Sequence, residues 1–146
     1  MLVPAAVLVL VILGAIAVDF SVAFLGQREL TSAAAAAAND ASTAIAEERF
    51  YRSGAGNAGD VVIDGGRAAR VVDQALAARA PRGVTIDGVR VDPSGGQVCV
   101  VLRGRVDYVF AKAVPGMADG AVVQGRSTAT AVTGAAGSPV EPRPAC

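Results

Sequence analysis

The chain contains no histidine and no tryptophan, only two cysteines, Cys99 and Cys146, and a single lysine, Lys112. Without histidine, and with its two cysteines far apart, it has the parts for neither a zinc site nor a Cys/His nucleophile. Aromatic residues make up 4% of the sequence, and much of its 53% hydrophobic content is alanine, which buries little area, so any soluble core is thin. Net charge is also missing, because thirteen basic residues offset thirteen acidic ones, and that removes the electrostatic grip on which nucleic-acid binding depends. A length of 146 residues leaves room for one small domain beside the opening segment and excludes a large enzyme with a deep cleft. The carboxylates Asp19, Asp64, Asp73, Asp87 and Asp107 have no base nearby in sequence and no metal-ligand spacing. The sequence therefore reads as non-enzymatic, with no cofactor, metal or small-molecule substrate expected.

What is present begins with an apolar run. Leu2 to Gly26 holds one charge, Asp19, and one serine, and as a helix it spans about 37 Å, enough to cross a hydrocarbon layer of about 30 Å. Asp19 lies towards one end of this span, where a charge costs least. A buried core helix is the poorest reading, because so thin a domain cannot cover so long an apolar cylinder. A cleaved signal peptide is the alternative: Ala15-Ile16-Ala17 has the small-x-small pattern of a cleavage site, with Leu2 to Gly14 as its apolar region. Against cleavage, no Lys or Arg precedes the run, and the residues after the site remain mostly apolar. Residues 1–26 are therefore expected to be a transmembrane anchor. Gly14, Ala15, Ala17 and Ala23 offer small faces for close helix packing within it, and Asp19 is a candidate polar contact to a neighbouring subunit or a group solvated at the interface.

Residues 27–52 contain neither Pro nor Gly and are dense in helix formers, so the helix is expected to continue out of the membrane. Leu30, Ala34, Ala37, Ala41 and Ile45 recur at three- and four-residue spacing, a narrow stripe that fits either the protein's own domain or another subunit. The Gly- and Asn-containing stretch Ser53 to Gly66 reads as a linker with at most a short strand, followed by a second helix bearing Ala68, Val72, Ala75 and Leu76 on one side. From Gly83 the period becomes two. Two antiparallel strands are expected around the turn Asp92-Pro93-Ser94-Gly95-Gly96, with Val98, Val100, Leu102, Val106, Tyr108 and Phe110 on a buried face and Gln97, Cys99, Arg103, Arg105 and Asp107 on a wet one. The apolar positions of the first strand change phase across Asp87-Gly88, which predicts a bulge there. A Thr- and Val-rich third strand follows from Ala121, and residues 135–146, with three prolines, form an extended tail. The result is an α+β protein: an anchor over 1–26, an extended helix over 27–52, and a small domain over 53–134 with one helix and a three-stranded antiparallel sheet. The tail is long enough to return Cys146 to the face carrying Cys99, so a disulfide between them is expected, or a link to another chain.

The segments "AVDFSVAFLGQREL", "TSAAAAAANDAS" and "GRSTATAVTG", in this order, resemble the TadE/TadG-like proteins of the bacterial tight-adherence, or Flp, pilus assembly system. The resemblance spans nearly the whole chain through patterns of small residues and no catalytic fingerprint. It implies a pilin-like, single-span protein with most of its mass outside the cytoplasmic membrane, at the cell surface, whose partners are the membrane and other pilus-assembly or pilin-like subunits, itself included. Pilin-like members carry a basic leader and a Gly followed five residues later by Glu, and no such pair precedes the apolar run here. The expectation is therefore an unprocessed, membrane-anchored relative. A secreted or surface binding module released after Ala17 is the alternative.

Overall fold

The computed structural model describes residues 2–53, 64–94, 96–113 and 119–130. One helix of 52 residues, α1 (Leu2–Ser53), runs without a break from the apolar segment into the domain. Its only proline, Pro4, lies in the first turn, where the missing N–H has no intrahelical partner to lose. A second helix, α2 (Gly65–Ala78), starts at Asp64, whose side chain accepts the Gly66 N–H at 2.9 Å and caps the first turn. Three strands follow: β1 (Thr85–Ser94), β2 (Gln97–Val106) and β3 (Ala121–Thr130). They form an antiparallel meander in the order β1-β2-β3.

The two helices cover one face of the sheet, and the core lies between these layers. Leu30, Ala34, Ala37, Ala38, Ala41 and Ile45 of α1 and Ala68, Val72 and Leu76 of α2 meet Val98, Val100, Leu102 and Val106 of β2 and Val123 and Ala129 of β3. The alanine stripe of α1 therefore packs on the protein's own sheet. Small side chains on the helix let the two backbones come close, and β3 answers with a glycine: a Cβ added at Gly125 would lie 2.6 Å from the Leu30 carbonyl oxygen. Since α1 supplies so much of the core, residues 27–52 are the spine of the domain and not a stalk in front of it.

The bulge is present, with a register shift between Ile86 and Gly88. It lets Ile86, paired with Gly104, and Val91, paired with Val100, share the inner face although five positions separate them. Three expectations need correction. The turn between the first strands is shorter than five residues, because Asp92, Pro93 and Ser94 pair with Cys99, Val98 and Gln97 as part of β1. β1 is an edge strand, where a proline costs no ladder bond, and Gly96 at φ 79° closes a two-residue hairpin. Strand β2 ends at Val106, so Tyr108 and Phe110 do not continue its buried face, and Phe110 is 51% exposed. The outer face is wet only in part: Arg103 and Arg105 are exposed there, but Gln97 is buried and Cys99 is 2% exposed. Cys99 is disulfide-bonded. The linker residues 54–63, the end of the expected third strand, the Pro-rich tail and Cys146 lie outside the described residues.

Candidate functional site

Among the described residues, the most specific polar construction lies where α1 passes from its bare first third into the domain. Leu30 and the turn before it hold the sheet to the helix, with Gly26 close against the Val106 side chain at the end of β2. Beyond Val106 the chain does not turn away. It follows α1 towards the N-terminus and reaches Asp19, seven residues below Gly26, or about 10 Å along the helix axis. There the Asp19 carboxylate accepts three consecutive backbone N–H bonds: Oδ1 from Val109 at 2.8 Å and Phe110 at 3.1 Å, and Oδ2 from Ala111 at 2.7 Å. Ala111 opens a 3-10 turn, Ala111–Ala113, so the same carboxylate caps that turn. Asp19 is 7% exposed, and its two oxygens fix the whole loop between β2 and the 3-10 turn. At the ends of this loop Lys112 pairs with Asp107 at 3.3 Å.

Asp19 is therefore neither solvated nor left for another subunit: its bonding capacity is directed to the protein's own backbone. Sequence reasoning marked Asp19 as the one charge of the span but missed this partner, which lies ninety residues away and presents only main-chain donors. The expected helix-packing residues divide accordingly. Leu30, Ala34, Ala37, Ala41 and Ile45 are buried in the domain core; Ala23 and Ala15 are half-buried; Gly14 and Ala17 are exposed.

The surface of α1 below the domain is apolar on every side. Val7, Leu8, Leu10, Leu13 and Ile16 are all exposed, as are Phe20 and Phe24 on the first turns beside the clamp. The one polar side chain in this stretch besides Asp19 is Ser21, whose hydroxyl donates to the Ala17 carbonyl at 2.8 Å. By length and composition this helix is able to cross a membrane.

The remaining described carboxylates singled out in the sequence have structural places. Asp64 caps α2, Asp87 at the bulge pairs with Arg105 across the strands at 3.2 Å, Asp107 holds Lys112, and Asp73 is exposed on α2. Among the described residues no three His, Cys, Asp or Glu side chains converge as metal ligands. An open groove beside α1 is lined by Val22, Gly26, Arg28, Glu29, Arg82 and Val106. No protein-family model, no curated protein and no solved structure matches the chain.

Proposed function

We propose that the protein is a non-catalytic, membrane-anchored component of a Tad/Flp-type pilus assembly or secretion apparatus, acting through packing contacts and not through chemistry. The observation that carries the reading is the continuity of α1: one helix is bare and apolar through its first third and then becomes the spine on which a small sheet is folded. Such a body is held at a fixed height above the bilayer and offers its neighbours helix and sheet surfaces. Within the membrane, where apolar side chains give no hydrophobic reason to associate, Gly14, Ala15 and Ala17 are the places for close approach of another helix. The test is genetic and biochemical together. The protein resists carbonate extraction, and a strain lacking it loses pili; Leu at Gly14 or Ala17 reduces crosslinking to other apparatus proteins without lowering the amount of protein in the membrane. Normal piliation in the deletion strain refutes the proposal.

One observation favours a second reading, a domain secreted after cleavage. The first residue that the domain holds is Asp19, so a cut after Ala17 would leave the clamp and the whole core in the released part. Sequencing the N-terminus of the mature protein separates the two: Val18 supports release, and an uncut start supports the anchor.

A further inference from the structure

We propose that the loop Asp107–Ala113 is embedded in the bilayer surface, with Val109 and Phe110 among the upper acyl chains, and that the Asp19 clamp is the device that allows it. The inference rests on the reading of α1 as a membrane anchor and extends it to a second segment of the chain. The loop stands below the sheet edge, level with Asp19 on a helix whose exposed surface, Ser21 apart, stays apolar as far as Leu25. The first exposed charge on α1 is Arg28, nine residues further on. Lipid-compatible surface therefore extends past the level of the loop. The loop itself matches that surface, since Val109 is 57% exposed and Phe110 51%, and the helix exposes Phe20 next to Asp19 in sequence and Phe24 one turn further on. Together these four side chains make a collar continuous with the bare part of α1.

A loop cannot enter lipid with free backbone donors, because each unsatisfied N–H costs several kcal/mol there. Here the three successive donors of residues 109–111 are all taken by Asp19, and the charge of Asp19 is in turn enclosed by them. Ser21, the other polar group at this level, is closed on the helix backbone. The three amides at the tip of the loop, the Asp19 carboxylate and the Ser21 hydroxyl are thus bonded within the protein, while the Asp107–Lys112 ion pair at the loop's ends faces the headgroups, which the long stem of Lys112 lets its ammonium group reach. Phenylalanine and valine at this depth, with a basic residue beside them, fit the boundary between acyl chains and headgroups. The occupant of the collar is therefore lipid and not a protein partner.

The absence of native tryptophan makes the test direct. Single-tryptophan variants of the full chain, Leu10→Trp, Phe110→Trp and Val89→Trp, are reconstituted in phosphatidylcholine liposomes with and without bromine on the acyl chains, after thermolysin resistance confirms the wild-type fold; Val109→Trp replaces Phe110→Trp if the latter fails that check. The expected result is loss of emission in brominated lipid for Leu10→Trp and Phe110→Trp alike, with Val89→Trp, on β1 and away from the collar, unchanged. Adding Asp19→Leu to Phe110→Trp should abolish its quenching. If Leu10→Trp is quenched and Phe110→Trp behaves as Val89→Trp, the loop inference fails and the anchor stands. If Leu10→Trp is not quenched, the anchor reading fails and the inference with it. Blue-shifted but unquenched emission from Phe110→Trp places the loop against protein, such as a second copy of the chain, and likewise overturns the inference.

Discussion

Replacing Gly125 by alanine tests the central packing claim, that α1 and β3 are in backbone contact. The added methyl carbon would sit 2.6 Å from the Leu30 carbonyl oxygen and 2.5 Å from the Thr31 nitrogen, against 3.4 Å or more in ordinary contact. Both obstacles are main-chain atoms in mid-helix, so no rotamer change relieves the clash, and the helix must retreat from the strand by about 0.8 Å. A gap of that size forfeits roughly a quarter to a half of each dispersion contact it opens, and a buried leucine makes about 40–60 of them at ~0.1–0.2 kcal/mol each. Leu30 lies at the centre of the opened seam and is fully buried. The expected loss is about 2–4 kcal/mol, at or above the upper end of ordinary overpacking, from a fold whose total stability is on the order of 5–15 kcal/mol. Thermal unfolding of the full-length protein in detergent, followed by far-ultraviolet circular dichroism and thermolysin cleavage, should show the midpoint fall by about 10–25 °C. Gly88→Ala is the matched control, because a Cβ there has no neighbour within 4 Å, and it should stay within about 0.5 kcal/mol of wild type. Adding Leu30→Ala to Gly125→Ala should not rescue it, since the obstruction is backbone and not the leucine side chain. Equal stability of Gly125→Ala and Gly88→Ala refutes the argument.

Three further outcomes follow from the same structure. Leu30→Ala alone should cost about 2–5 kcal/mol in the same unfolding assay, because Leu30 is fully buried and its neighbours on the core face of α1, Ile45 apart, are alanines with little side chain to move into the space; a loss below that range would mean that the core collapses around it. Asp19→Leu should remove slow hydrogen exchange from the amides of Val109, Phe110 and Ala111, whereas Asp19→Asn, with one acceptor oxygen in place of two, should spare part of it; unchanged exchange in the leucine variant would remove the clamp from the account. The protein unfolded without reductant should show no alkylatable thiol, and Cys99→Ser should lower stability by about 2–4 kcal/mol, as expected for the loss of a bond closing a long loop; a freely alkylated Cys99 would contradict it.

What the sequence made legible is what repeats locally. The three- and four-residue spacing from Leu30 to Ile45 marked the core face of α1, the two-residue period marked β1 and β2, and the change of phase at Asp87-Gly88 marked the bulge. Leu30 to Ile45 and Val98, Val100 and Leu102 carry their patterns as buried side chains, whereas Val89 keeps the phase of β1 on an edge strand and stays 41% exposed. The base of the domain was not legible, because its organising contact joins one carboxylate to main-chain donors ninety residues away, and a main-chain donor leaves no trace in residue identity. Phe110 was misassigned for the same reason: alternation predicts a face only while the strand lasts, and the clamp draws the chain off the sheet after Val106. The burial of Cys99 on the outer face also escaped an argument from alternation, which assigns a side but not what covers it. Asp64 was read as part of the linker, and the structure makes it the cap of α2, with its side chain accepting the Gly66 N–H.

The unbroken course of α1 leaves no joint between the part of the chain suited to lipid and the part that carries the sheet. From Ala15 to Ser53 the helix has one glycine and no proline, and that glycine, Gly26, is held against Val106, while the Asp19 clamp braces the same junction from below. The domain is thus unable to swivel on its stem. If the stem leans, the sheet leans with it, and over the ~40 Å from Gly26 to Ser53 a change in tilt of ~10° carries the far end sideways by ~7 Å. Bilayer thickness, which biases the tilt of a spanning helix, would then be converted into a lateral displacement of the sheet.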